Sequence, residues 1–122
     1  MATVELNATN FSDTITGNDF VIVDFWAPWC GPCRSFAPIY EDLSEQYPDI
    51  IFAKVNTEQE QEIAGHFQIR SIPTLMLFRE QVILYAEAGA LPKQALEQLI
   101  TDAKAVDMQE VHNSLKEQES QA

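Results

Sequence analysis

The segment Phe20-Val21-Ile22-Val23-Asp24-Phe25-Trp26 constrains the fold more than any other part of the chain. Successive side chains of a strand point to opposite faces, and here both sets are apolar except for one aspartate. Such a strand has to be covered on both sides, which puts it at the centre of a sheet with helices above and below. Val4 and Leu6 alternate with polar neighbours as in a short edge strand, and Asn10, Phe11 and Ile15 mark a brief helix that ends before Gly17-Asn18. Across residues 31–47 the positions Phe36, Ile39, Tyr40, Leu43 and Tyr47 keep helical spacing, with Pro38 expected to kink the helix and Pro48 to close it. Residues 50–55 read as a second buried strand, so that strand, helix and strand form a parallel crossover. A helix over 58–67 turns Ile63, Ala64 and Phe67 inward. Strands over 74–78 and 82–88 are too close in sequence for anything but an antiparallel hairpin, and Pro92 opens a helix with Leu96, Leu99, Ile100 and Ala103 on its apolar stripe.

At 122 residues, 46% of them hydrophobic, the chain fits one domain with its own core. Residues 1–104 account for that domain. Residues 105–122 are a polar extension, in which Met108, Val111 and Leu115 form a weak stripe, expected to be helical at first and frayed at its end. Seven Lys and Arg against nineteen Asp and Glu give a net charge of −12. That balance excludes the phosphate backbone of a nucleic acid and an anionic membrane surface as partners. No apolar stretch approaches the ~20 residues of a membrane span. The start Met1-Ala2-Thr3-Val4-Glu5 lacks the basic and apolar regions of a secretory signal, so a cytoplasmic location is expected.

The only cysteines are Cys30 and Cys33, too close together to staple a fold. They stand where the central strand passes into the helix, Cys30 at its N-terminus and Cys33 in its first turn. Free amides and the positive end of the helix dipole there favour a thiolate, which makes Cys30 the candidate nucleophile and Cys33 the shielded, resolving thiol. Gly31 permits the tight turn and Pro32 starts the helix without an orphaned donor, favouring a rigid dithiol. The alternative is half of a zinc site, completed by His66 and His112. Those histidines lie far apart in sequence, one of them in the weakly ordered extension, so no metal site is expected. Asp24 is the other informative residue, because an ionised, unpaired carboxylate on a buried strand costs several kcal/mol. It shares a face with Trp26 and can lie below the helix beginning near Cys33. Burial would raise its pKa and fit it to deprotonate Cys33, with Lys54 on the next strand tuning its titration. A purely structural carboxylate, paired with Lys54 or capping an amide, is the competing reading.

The run Val23-Asp24-Phe25-Trp26-Ala27-Pro28-Trp29-Cys30-Gly31-Pro32-Cys33-Arg34 closely resembles the active-site signature of the thioredoxin family, and the likeness continues through Ala37-Pro38, Ala53-Lys54-Val55-Asn56, Ile69-Arg70-Ser71-Ile72-Pro73-Thr74-Leu75 and Gly89-Ala90-Leu91. The resemblance implies an α/β thioredoxin fold, a central mixed five-stranded sheet of order β1-β3-β2-β4-β5 flanked by four helices. It implies a general protein-disulfide reductase, with no bound cofactor. It further implies a cis peptide at Ile72-Pro73, a substrate-contacting rim of Trp29, Gly31, Pro32, Ile72, Pro73 and Gly89, and redox tuning by Gly31, Pro32 and Lys54. The implied partners of the monomer are oxidised protein substrates and an NADPH-dependent thioredoxin reductase. Two departures stand out. The hairpin turn Arg79-Glu80-Gln81 lacks the Asn-Gly that tolerates positive φ. The run Val82-Ile83-Leu84-Tyr85 is apolar for an edge strand; packing beneath the helix that Pro92 opens is the expected explanation, with cover by the extension or another chain as alternatives.

Overall fold

The computed structural model describes residues 2–121; Met1 and Ala122, at the outer limits of the two expected ranges, lie outside the described residues. Ten elements follow one another: β1 (Thr3–Glu5), α1 (Phe11–Thr16), β2 (Phe20–Trp26), α2 (Gly31–Gln46), β3 (Ile51–Asn56), α3 (Gln61–His66), β4 (Thr74–Arg79), β5 (Val82–Ala88), α4 (Lys93–Lys104) and α5 (Met108–Gln121). The strands form one sheet of order β1-β3-β2-β4-β5. β3 runs parallel to both β1 and β2, while β4 is antiparallel to β2 and β5.

The double-sided burial of β2 follows from its sequence. Phe20 and Ile22 pack with Phe52, Leu75 and Leu77 beneath Phe36, Tyr40 and Leu43 of α2 and Leu96 and Ile100 of α4. Val21, Val23 and Phe25 pack on the other side with Ala53, Val55, Met76 and Phe78, closed by Ile15 and Phe11 of α1 and by Ile63 and Phe67 around α3. The Tyr40 hydroxyl reaches the carbonyl oxygens of Ile22 on β2 (2.9 Å) and Ala53 on β3 (2.7 Å), fixing the middle of α2 over the two central strands. Lys93 of α4 meets Asp42 of α2 at 2.6 Å, joining the two helices of this layer at the surface.

Two local readings are corrected. The expected helix over 58–67 is confined to Gln61–His66, because the Asn56 side chain accepts the amides of Glu58 and Gln59 and holds that stretch in a turn. The extension, expected to be helical at first and frayed at its end, is a single helix, α5, that runs to Gln121, a fifth beside the four expected around the sheet. Its base is anchored by Met108, which is buried, and His112 Nε2 lies 2.9 Å from the Glu80 carboxylate on the hairpin turn. The turn itself adopts positive φ at two non-glycine residues, Glu80 (49°) and Gln81 (70°). Its backbone is tied down where the Glu80 amide donates to the Asp19 carbonyl at 2.7 Å.

The register of the hairpin slips between Leu77 and Phe78, whose partners are Tyr85 and Ile83. Leu84 is therefore the extra residue of a β-bulge, and it projects with Tyr85 towards the α2–α4 layer. Both pack on that core. The apolar run on the edge strand is thus explained by packing beneath α4, and Ile83 alone of the four is exposed.

Candidate functional site

The site grows from the C-terminal end of β2, where the strand order changes neighbours and the chain passes into α2. Ala27-Pro28-Trp29 make a turn closed by the Cys30 amide on the Ala27 carbonyl at 3.2 Å. The Arg34 guanidinium reaches back to the Pro28 carbonyl at 3.0 Å. Cys30 is the N-cap of α2, with Pro32 in the first turn as a residue needing no amide partner. The Cys30 sulfur accepts the Cys33 amide at 3.2 Å. This is the arrangement that favours negative charge on sulfur, a backbone donor backed by the positive end of a helix.

Cys30 and Cys33 are joined in a disulfide with Cα atoms 5.2 Å apart. Burial does not distinguish them in this oxidised form, since both are almost wholly buried. Position does: Cys30, the N-cap, has its sulfur 3.7 Å from the Ile72 carbonyl oxygen, whereas Cys33 lies within the first turn of α2 and gives its amide to that sulfur. The Ile72-Pro73 bond is cis, as the resemblance implied. Gly89, at φ 109°, donates its amide to the Pro73 carbonyl at 2.8 Å, so the end of β5 is drawn to the same loop. Around the dithiol, Trp29 is 64% exposed, an unusual amount of free aromatic surface for a folded domain. Gly31, Pro32 and Ile72 are partly or fully exposed and Pro73 is buried. Trp29 and Ile72 therefore offer accessible apolar surface beside the buried Cys30 sulfur.

Asp24 lies on the α2 side of β2, on the face of Phe20 and Ile22. It is buried, and neither carboxylate oxygen has a hydrogen-bond partner among the described residues. Burial pushes its pKa from an ordinary 3.8 up to about 7; Lys54 pulls in the opposite direction and Glu5 adds to the rise. Lys54 is the register neighbour of Asp24 on β3, and its ammonium lies 4.5 Å from the centroid of the Trp26 ring. The two histidines are engaged elsewhere, His66 edge-on against Phe67 and His112 on Glu80. No group of three His, Cys, Asp or Glu residues suited to a metal ion is found among the described residues.

Two contributors escape sequence reasoning. The Trp29 indole N–H donates to the Glu58 carboxylate, which orients the exposed ring, and Glu5 on the edge strand joins the electrostatics of Asp24. Nothing in spacing marks Glu58. Glu5 is visible only once the register of β1 on β3 is known.

A redox-active Cys-x-x-Cys disulfide at the N-terminus of a helix, beside a cis-proline loop and following a strand that carries a buried carboxylate, defines a thiol–disulfide oxidoreductase. The family model described as Thioredoxin matches residues 2–102. A protein described as putative thioredoxin 2 of Streptomyces coelicolor is 52% identical over 121 residues, covering 99% of this chain and 90% of its own length. The thioredoxin of Bacillus subtilis is 38% identical, covering 82% of this chain and 96% of its own. Among solved structures, a mutant thioredoxin from Halobacterium salinarum superimposes with a TM-score of 0.79 at 32% identity, covering 86% of this chain and 93% of that one. A Plasmodium falciparum thioredoxin gives 0.76 at 35% identity, covering 82% and 98%. The chain belongs to the thioredoxin family, and it is a protein-disulfide reductase working through a reversible Cys30–Cys33 disulfide. Oxidised proteins are its substrates and a thioredoxin reductase restores its dithiol.

Proposed function

We propose the following assignment of roles within that reaction. In the reduced protein, Cys30 is the thiolate that attacks, and the observation carrying this is its place as N-cap of α2, with its sulfur on the Cys33 amide and beside the Ile72 carbonyl. An oxidised protein docks on Trp29, Gly31, Pro32, Ile72, Pro73 and Gly89. Cys30 sulfur attacks one sulfur of the substrate disulfide, forming a mixed disulfide and releasing the other as a thiolate, which takes a proton. Cys33 then loses its proton to Asp24 and attacks the Cys30 sulfur, expelling the second substrate thiolate. The substrate leaves with two thiols, and the two electrons it gained leave Cys30 and Cys33 joined. Gly31 and Pro32 keep the dithiol rigid, and Lys54 sets the titration of Asp24.

The buried, unpartnered Asp24 carboxyl supports the proton step, because a carboxyl that titrates near neutrality is matched to taking a thiol proton at working pH. The chain acts as a monomer in the cytoplasm, without bound cofactor, and its reductase draws on NADPH. Residues 1–104 carry the activity and residues 105–122 are an appended segment. In the dithiothreitol-driven reduction of insulin, wild type should accelerate precipitation, Cys30→Ser should not, and Cys33→Ser should accumulate a mixed disulfide with insulin. Activity retained by Cys30→Ser, or a mixed disulfide trapped on Cys33 instead, would overturn the assignment.

A further inference from the structure

Glu5, Lys54 and Asp24 form one row across three adjacent strands. Glu5 is the register partner of Lys54 between β1 and β3, and Lys54 is the partner of Asp24 between β3 and β2. Residues in register project to the same face of a sheet. That face is the α2 side: Thr3, two residues before Glu5, donates its hydroxyl to Glu41 of α2 at 2.8 Å. Phe52 and Ile22, two residues before Lys54 and Asp24, lie in the core beneath α2. Lys54 therefore rises from the strand between those of the two carboxylates, its ammonium 4.5 Å from the centroid of the Trp26 ring.

We propose that Glu5 is a positioning residue for the exchange at the dithiol: one strand beyond Lys54 on the same face, its negative charge offsets the field of the Lys54 ammonium at Asp24. The proposal rests on the reading of Asp24 as the proton acceptor for Cys33. Against the larger effect of burial, Lys54 pulls Asp24 back towards ionisation, and a less basic carboxylate is a weaker acceptor for a thiol proton. A second carboxylate, one strand beyond Lys54, offsets that pull. The electrostatics of both groups agree with the row. After burial, the largest cause, Lys54 lowers and Glu5 raises the pKa of Asp24. The Glu5 carboxyl is itself raised, first by partial burial, with Lys54 and the Trp26 indole N–H opposing and Glu60 adding. The groups that act on Asp24 or respond to it are thus Lys54 from β3, Glu5 from β1 and Tyr40 from α2, whose hydroxyl is raised by burial and then by Asp24. Glu60 adds to the rise at Glu5 and Glu41 to that at Tyr40, while the dithiol lies at the N-terminus of α2.

Glu5 suits a test because it is exposed on a three-residue edge strand, so replacing it changes charge and leaves the core alone. Two interstrand spacings separate the outer members of the row by about 10 Å, and removing a like charge at that range should displace the Asp24 midpoint by about half a pH unit. The experiment is a carboxyl carbon NMR titration of Asp24 in the oxidised full chain, as wild type, Glu5→Gln and Glu5→Asp, at low ionic strength. The midpoint should fall in Glu5→Gln, about a threefold loss of proton affinity, and return near wild type in Glu5→Asp, with the difference shrinking in about 0.5 M salt. An unmoved midpoint in folded Glu5→Gln overturns the proposal. An equal fall in Glu5→Asp overturns it too, since the cause would then be the strand edge and not the charge. The pH profile of Cys33 alkylation in the reduced proteins separates the two readings. A profile that follows the Asp24 midpoint supports both; a midpoint that moves beneath a fixed profile supports the action of Glu5 on Asp24 and overturns Asp24 as acceptor.

Discussion

Replacing Asp24 with asparagine should stabilise the protein, by an amount that depends on pH. The Asp24 carboxyl is buried without a hydrogen-bond partner, and burial outweighs Lys54 in moving its pKa from 3.8 to about 7. In the unfolded chain the group titrates at its ordinary value. Below about pH 4 both states are mostly protonated, and the residue adds little pH dependence. Between about pH 4 and 7 the native state keeps a proton that the unfolded chain has lost, so stability falls as pH rises. Above about pH 7 both states have ionised and the loss reaches its limit. Each pH unit between the two values is worth about 1.4 kcal/mol, so the full interval amounts to about 4 kcal/mol. Asparagine keeps the shape and carries no charge to desolvate. Urea denaturation of the oxidised proteins should therefore show a difference between Asp24→Asn and wild type that is small and flat below about pH 4 and grows by about 4 kcal/mol by about pH 8. Titrating groups not coupled to Asp24 cancel in that difference. A gap that stays constant across the range would refute the reasoning, because it would mean that Asp24 titrates alike in the folded and unfolded chains.

Two further outcomes concern the hairpin and the last helix. Gln81→Gly should gain about 0.5–1 kcal/mol in chemical denaturation, since glycine occupies φ 70° without the cost borne by a side chain; a loss would show that the Gln81 side chain holds the turn. Met108→Ala should cost about 2 kcal/mol in a thermal or urea melt while insulin reduction proceeds at the wild-type rate. A negligible cost would mean that α5 rests on the domain without being part of its core.

The centre of this molecule is legible in its sequence because two-sided burial leaves so strong a mark. Phe20–Trp26 can be placed inside the sheet from hydrophobicity alone, and the dithiol and Asp24 inherit their positions from that strand. Periphery is harder to read. The turn at Glu80 and Gln81 takes a conformation that its residue types do not favour, held by Asp19, a residue distant in sequence. The helix expected from residue 58 starts at Gln61 because the Asn56 side chain captures the intervening amides, a tertiary detail beyond any periodicity. The polar composition of residues 105–122 signals disorder, yet one buried methionine and one contact from His112 to Glu80 dock the helix. Glu5 illustrates the same limit at the site, since alternation shows which face a strand residue takes but not which residue of the next strand it meets.

The slip at Leu84 also bears on how separate molecules meet. β5 is the last strand of the sheet, and its outer side would otherwise offer an unbroken row of amides and carbonyls to any extended chain that drifted past. With one residue out of step, an incoming strand that matches the row on one side of Leu84 is misaligned on the other. The stretch that looks most adhesive as a string of letters is thereby the one least able to zip onto a neighbour, and the residue that spoils the template is the same one that fills the space beneath α4.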